Sequence, residues 1–348
     1  MRTLTFALLS SVCACICQPS IAQAQDACPN RGQLDTLYCD ADRDLVADVP
    51  TDPARRHDPS MLIWTYAPVE GPIVYVNVFK PFTEYLAQCT GKRIAYYPVP
   101  SNSIEIDAMR AGRLHFGAFS TGSLGFAVNF AGAVPFAVVG TATEIQGYNM
   151  IAIVKSSSPY EKLADLRGKK VAHSYPTSNS GNLAPRALFP AEGLTVDQDY
   201  MPIMAGAHDK AILGVGTGDY DMAAVGSDVF DRLVTRGTIK AADYRILYRS
   251  PIFPVSPFAY AHDLKPELAS KLKGCFYSFR FTAEMQKEFS GADRFLPITY
   301  QKDWAVVRDV AERSGTPYTR SGYETEAKRD ADALAKKQPE TAAPAPKP

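Results

Sequence analysis

Short apolar runs of strand length alternate with amphipathic stretches over most of this chain, and that alternation restricts the fold more than any other feature. Met61 to Tyr66 (MLIWTY), Arg93 to Pro98, Leu114 to Phe119, Asn149 to Val154, Lys170 to His173, Met222 to Val225 and Tyr244 to Leu247 read as strands. Between them, Val76 to Gln88, Ser103 to Ala111, Asn182 to Glu192, Lys210 to Thr217 and Glu267 to Tyr277 carry apolar residues at helical spacing, and Thr90-Gly91 ends the first. Strands separated by helices pair in parallel and need cover on both faces, which predicts an α/β fold with sheets between helix layers. In such sheets ligands bind beyond the carboxyl ends of strands, where helices begin. The 348 residues give room for roughly two such units.

Lys and Arg number 37, as do Asp and Glu, so the net charge is zero. That leaves no basic surplus for sequence-independent nucleic-acid binding, and no nucleic-acid partner is expected. Residues 1–24 read as a cleaved signal peptide. Arg2 is the sole charge ahead of Asp26, Leu4 to Cys17 is apolar, and Ala22-Gln23-Ala24 offers small residues for cleavage after Ala24. No later segment approaches the ~18 unbroken apolar residues of a membrane span, so a soluble, exported chain is expected. Of the cysteines beyond residue 24, Cys28 and Cys39 flank a short polar segment and are expected to bridge; Cys89 and Cys275 are either buried thiols or a second bridge. No C-x-x-C follows the signal peptide, so neither a structural zinc nor any other cofactor is expected.

Residues 25–60 are polar and rich in Asp, Arg and Pro, an extension laid over a domain rather than a core. Within it, Asp40, Asp42, Asp44 and Asp48 stand at positions 1, 3, 5 and 9 of an oxygen-ligand calcium loop, but Leu45 takes the place of the glycine at position 6 and no Glu follows at position 12. A solvated acidic turn accounts for the same residues. Residues 326–348 end in QPETAAPAPKP and are expected to be a disordered tail.

Two stretches carry chemistry. In Lys169 to Arg186 a strand, KVAH, runs into a turn of small hydroxyl and amide residues, and a helix begins near Asn179 to Asn182. The first N–H groups of that helix lack intrahelical partners; with Ser178, Asn179 and Ser180 they form an oxyanion cradle that needs no Lys or Arg, unless the cluster merely caps the helix. The second stretch is Gly206-Ala207-His208-Asp209-Lys210, where His208 stands just before another helix and either donates to an oxyanion or caps it. No G-x-S-x-G elbow and no H-E-x-x-H occur, so catalysis is not expected and an exported hydrolase is the weakest reading.

The order of a GY-led apolar strand, DLRGKKVAHSYPTSNSG, GAHDKAILGVGTGDYDMAAVGSD and RSPIFPVSP, with Asp107 to Arg113 reading DAMRAGR, resembles the phosphate/phosphite/phosphonate ABC-transporter periplasmic substrate-binding proteins over roughly residues 60–320. The resemblance implies a two-lobed type II periplasmic binding protein fold, each lobe a mostly parallel sheet flanked by helices, with crossing strands and the ligand in the interlobe cleft. Lobe 1 would comprise 61–146 and 252–325, and lobe 2 147–251. Carried over residue by residue, it places the ligand on Ser178, Asn179, Ser180 and Gly181, with His208 and the hydroxyl of Tyr148. The middle member of the triplet is usually Thr, so Asn179 is a departure. A second family tyrosine falls on Asn102, which makes one side of the pocket more amide-like, and Ser120-Thr121-Gly122 adds hydroxyls where many members have G-P. Acidic positions that pair with the amine of an aminoalkyl phosphonate fall on Asp228 and near Val255. An apolar residue cannot hold an ammonium group, so a small oxyanion without an amine, or a phosphonate with a neutral tail, fits better. The resemblance thus implies a monomeric periplasmic protein that captures a small phosphorus oxyanion (phosphonate, phosphite or phosphate-like) and delivers it to an inner-membrane ABC permease. A periplasmic sensor presenting its closed form to a membrane histidine kinase would share the same site.

Overall fold

The computed structural model describes residues 28–70 and 74–335. The expected signal peptide, 1–24, and residues 336–348 of the expected tail lie outside them. In chain order the strands are β1 (Met61–Tyr66), β2 (Arg93–Tyr96), β3 (Phe116–Ala118), β4 (Ala133–Gly140), β5 (Gly147–Lys155), β6 (Val171–His173), β7 (Ile203–Met204), β8 (Met222–Gly226), β9 (Tyr244–Pro254), β10 (Phe258–Ala261) and β11 (Arg294–Pro297). One sheet has the order β11-β4-β10-β3-β1-β2 and the other β7-β6-β8-β5-β9. Lobe 1 therefore draws on two separate stretches of chain, while lobe 2 is a single stretch inserted between them. The chain crosses from β4 to β5 and returns from β9 to β10.

Both sheets are mixed, not mostly parallel as expected. In lobe 1, β1 pairs parallel with β2 and β3, but β10 is antiparallel to β3 and β4, and β11 to β4. In lobe 2, β6 pairs parallel with β7 and β8, but β5 is antiparallel to β8 and β9. The crossings explain this. A strand arriving from the other lobe, β5 or β10, enters its sheet from the cleft end, against the direction of strands that point toward the cleft.

The lobes are built from different side chains. In lobe 1, Trp64 stacks on Phe116 with centroids 5.6 Å apart and meets Phe79 and Phe82 edge-on; Phe258, Phe276 and Phe295 extend the cluster. One face of the lobe 2 sheet packs on Ile151, Ile153, Ile212, Val215, Val225 and small alanines. The helix Lys80–Thr90 stops where Gly91 turns left-handed at φ 71°, its N–H on Ala87 O, as Thr90-Gly91 predicts. A disulfide between Cys89 and Cys275, Cα atoms 5.9 Å apart, ties that helix to the helix Pro266–Ser278. The Cys28–Cys39 bridge also forms, Cα atoms 5.5 Å apart.

The extension lies on lobe 1, with Leu34, Tyr38 and Ala47 in its core and Asp35 ion-paired to Arg110 at 3.3 Å and to Arg320. The expectation for the tail is corrected over 326–335: the helix Arg320–Ala335 runs through it, and Glu326 and Asp330 are buried. Asp330 Oδ2 accepts from Ser103 Oγ at 2.6 Å, and Tyr323 donates to Asp107 at 2.6 Å. A helix held by a few polar anchors has the composition of a tail. Among the described residues no helix is long and apolar enough to cross a membrane.

Candidate functional site

β6 runs into the buried turn Ser174 to Ser178, and the chain then coils through a wide π-type turn, Asn179–Leu183, before the short helix Ala184–Leu188. An ordinary α-helical start is blocked there because Pro185 has no N–H for the carbonyl of Gly181, which accepts from Ser174 N–H at 3.2 Å instead. So the expected helix start is a π turn followed by only five α-helical residues, and individual donors rather than a long helix dipole define the site. Ser178 Oγ accepts from Gly181 N–H at 3.1 Å, and the N–H groups of Asn182 and Leu183 donate to Ser178 O at 3.0 Å. Among the described residues, the N–H groups of Asn179 and Ser180 take no part in this bonding. His173 fixes the turn from behind: its Nδ1–H donates to Asn182 Oδ1 at 2.9 Å and its Nε2 accepts from Tyr200 Oη at 2.8 Å.

His208 begins the helix His208–Thr217 and is almost fully buried. Its Nδ1 accepts from Gly226 N–H at 3.3 Å, so in the neutral ring the proton sits on Nε2, which lies 3.2 Å from Ser178 Oγ and 3.4 Å from Ser174 Oγ. Burial lowers its pKa to about 4; the Asp228 carboxylate opposes the shift and Arg232 adds to it. The ring is therefore a neutral donor at neutral pH, and it cannot serve as a base toward Ser178 because the facing nitrogen already carries the proton. Tyr148, on β5, takes the amide of Asn179 at 3.1 Å. Burial pushes its phenol up to about 12 despite the hydrogen bonds of Thr121, Asn179 and Ser180, so it stays protonated and able to donate. Asn179 Oδ1 is buried without a partner.

Lobe 1 closes the site with Val69, Ser120, Thr121, Val255 and Ser256, which line one cavity with Tyr148, Ser178, Asn179, Ser180, His208, Asp228 and Val229. Thr121 Oγ1 donates to Pro254 O at 2.9 Å and Ser120 Oγ to Ser123 Oγ at 2.9 Å, which holds both hydroxyls in place. The loops of the two lobes meet at Gly122. A Cβ there would lie 2.4 Å from Thr177 O and 2.6 Å from Asn179 N, so the close approach requires glycine. Backbone closes the other side, where His208 N–H donates to Val69 O at 3.2 Å. The space between these side chains is narrow, about 20 Å³, on the order of one or two waters.

Two sequence candidates stand off the cavity. Asn102 is the first residue of the helix Asn102–Arg110, capped by Ser101, and its amide donates across the lobes to Thr177 Oγ1 at 2.8 Å. It supports the turn rather than lining the pocket. Gly181 packs behind the cradle: a Cβ there would lie 1.7 Å from Ser174 Oγ, and its N–H is spent on Ser178. Asp228 does line the cavity, but Arg232, one helical turn on, holds it at 3.0 Å. Arg232 also pairs with Glu70 of lobe 1 at 3.0 Å, and Arg236 does so at 2.7 Å. Burial alone would raise the Glu70 carboxyl, but Arg232, the Tyr75 hydroxyl and Arg236 hold it below the usual range. Sequence reasoning missed this latch, although the four-residue spacing of Asp228 and Arg232 on a helix signals the pair. It also missed Val69, Val229 and Ser256, whose place depends on the lobes meeting.

Residues 64–304 match a family described as ABC transporter, phosphonate, periplasmic substrate-binding protein. The phosphate-import protein PhnD of Mycolicibacterium smegmatis is 25% identical over 274 residues, 75% of this chain and 85% of that protein. A binding-protein component of an ABC phosphonate transporter from Pseudomonas aeruginosa shares the fold with a TM-score of 0.67 at 20% identity, covering 80% of this chain and 97% of its own. PhnD1 from Prochlorococcus marinus, in complex with methylphosphonate, superposes with a TM-score of 0.65 at 16% identity, covering 74% and 99%.

Proposed function

Because this chain belongs to the periplasmic substrate-binding proteins of phosphonate ABC transporters, we propose that it captures a small phosphorus oxyanion between its lobes and delivers the closed complex to an inner-membrane permease. One observation carries the reading. The cavity between the lobes gathers donors that stay neutral, His208 Nε2–H, the Tyr148 phenol, the hydroxyls of Ser178 and Ser180 and the N–H groups of Asn179 and Ser180, while the Asp228 carboxylate is held by Arg232. Hydrogen bonds to a charged group contribute about 1.5–3 kcal/mol each, so five or six of them support micromolar or tighter binding after closure and desolvation are subtracted. Buried Asn179 Oδ1 supplies an acceptor for a ligand P–OH. With Asp228 Oδ2 paired to Arg232 and Val69, Val229 and Val255 on the wall, no carboxylate is left without a counter-charge to attract an ammonium group, which favours methylphosphonate, phosphite or phosphate over 2-aminoethylphosphonate.

Hydrolysis fits the site poorly, since an activating base would need the opposite His208 tautomer. Export through a signal cleaved after Ala24 and action as a monomer belong to the same proposal. Calorimetric titration of the mature protein with phosphate, phosphite, methylphosphonate, 2-aminoethylphosphonate and sulfate tests it. One amine-free phosphorus oxyanion should bind at micromolar Kd or tighter, and His208→Ala should weaken it about 10- to 100-fold. Tight binding of sulfate alone, or of none of these anions, would overturn the assignment.

A further inference from the structure

The extension holds a second site of a different kind. Asp40 is 1% exposed, and its Oδ1 has no hydrogen-bond partner. Asp40, Asp42 and Asp44 bring one carboxylate oxygen each to within 4.8 Å of one another. In every case the carboxylate uses a single oxygen to hold the loop. Asp40 Oδ2 accepts from Leu45 N–H at 3.3 Å and from Asn30 Nδ2 at 3.4 Å, Asp42 Oδ1 from Asp44 N–H at 3.3 Å, and Asp44 Oδ1 from Val46 N–H at 3.0 Å. Asp48 Oδ2 takes Ala41 N–H at 2.7 Å and so closes the loop. Leu45, at position 6, adopts φ 73°, the left-handed backbone that oxygen-ligand loops give to glycine. That answers the objection its side chain raises in the sequence.

Among the described residues, Asp40, Asp42 and Asp44 form no ion pair with a Lys, Arg or His and accept only from backbone N–H groups and the Asn30 amide. A buried carboxylate with an unpaired oxygen, facing two more, is stabilised by a cation. The ligand set is all oxygen, and it is carried on an irregular loop rather than a rigid octahedral frame, which suits calcium better than magnesium. The loop is also anchored. The Cys28–Cys39 bridge ends one residue before Asp40, Asp48 N–H donates to Cys39 O at 2.7 Å, and Gln301 of lobe 1 donates to Arg43 O at 3.2 Å.

We infer that the loop from Asp40 to Asp48 binds one calcium ion through Asp40, Asp42 and Asp44, and that the ion fastens the extension to lobe 1. Asp48 is a positioning residue. The test is calorimetric titration of the mature, chelator-stripped protein with CaCl2 and, separately, MgCl2, with thermal melts alongside. The expected result is one calcium per chain with a Kd of about 10⁻⁴–10⁻³ M and a Tm raised by about 2–5 °C at 10 mM calcium. Asp42→Asn and Asp44→Asn, both at exposed positions, should keep the fold and bind calcium at least about tenfold more weakly, as the loss of one charged ligand implies. Absence of saturable binding at 10 mM calcium, equal binding by both variants, or magnesium binding as tight as calcium would overturn the inference.

Discussion

Lobe 1 and lobe 2 carry similar sheets but divide the labour. Lobe 1 is assembled from two distant stretches of chain, packed on a cluster of aromatic rings and stapled by Cys89–Cys275, a bridge that spans 186 residues and encloses the whole of lobe 2. Lobe 2 is one continuous insert on an aliphatic core; neither disulfide touches it, and it supplies most of the polar groups at the cavity. Lobe 1 is thus tied by a disulfide and by aromatic rings, while lobe 2 meets it through polar contacts, Glu70 with Arg232 and Arg236, Asn102 with Thr177 and Val69 O with His208 N–H, and through packing of the helix Ala305–Arg313 on the helix Ala184–Leu188. Both disulfides thus fall outside lobe 2, and apart from the two crossing segments the contacts between the lobes are noncovalent.

The largest effect should follow from removing the staple. Replacing Cys89 and Cys275 together by Ser should cost about 5 kcal/mol in the chain-entropy account, against about 3 kcal/mol for the shorter Cys28–Cys39 loop, read by guanidinium unfolding. Equal costs would break the comparison. Acid should act most strongly on the other lobe, although burial also lowers the pKa of His115 and His262 in lobe 1. His173 and His208 both have folded pKa values of about 4, depressed first by burial, while the unfolded side chains titrate near 6.5. The folded protein then binds fewer protons than the unfolded chain between these values. Stability is full above pH 6.5 and is lost as pH falls toward 4, by up to about 3 kcal/mol per histidine. Unfolding midpoints from pH 7.5 to 4.5 should show this slope, and His208→Gln should lessen it; an unchanged slope in that variant would sink the assignment. The smallest effect concerns the contact between lobes. Gly122→Ala should weaken oxyanion affinity about tenfold while lowering the melting temperature little, since the new methyl would meet Thr177 O and Asn179 N where the two lobes touch and not within either core. Undiminished affinity would mean that the two loops have room to spare.

Much of the site was legible. Hydroxyl and amide residues between an apolar strand and a helix identified Ser178, Asn179 and Ser180, and a histidine before the next helix identified His208; both signals are local, because a turn and a helix start are set by neighbours in sequence. Tyr148, Ser120 and Thr121 came only through the family resemblance, which had to stand in for long-range contacts. Asn102 illustrates the limit. The resemblance put it at the ligand, but whether an N-terminal helix residue faces the pocket or braces the turn beneath it depends on how one lobe sits against the other, and here its amide goes to Thr177. The aspartates of the extension illustrate the converse: their spacing was visible, while the left-handed Leu45 and the unpartnered oxygen of Asp40 were not.

Sequence alone determined the α/β class, the bridge at Cys28–Cys39 and the hydroxyl and amide turn that lines the cavity, because strand and helix periods, exported cysteines and small donors in a turn act over short range. Tertiary structure decided the mixed sheets, the tautomer of His208, the pairing of Asp228 with Arg232 and the choice between thiols and a bridge for Cys89 and Cys275. Each of these depends on groups distant in sequence, or on a bond partner fixed only in the fold, meeting within a few ångströms, and only the packed chain sets those distances.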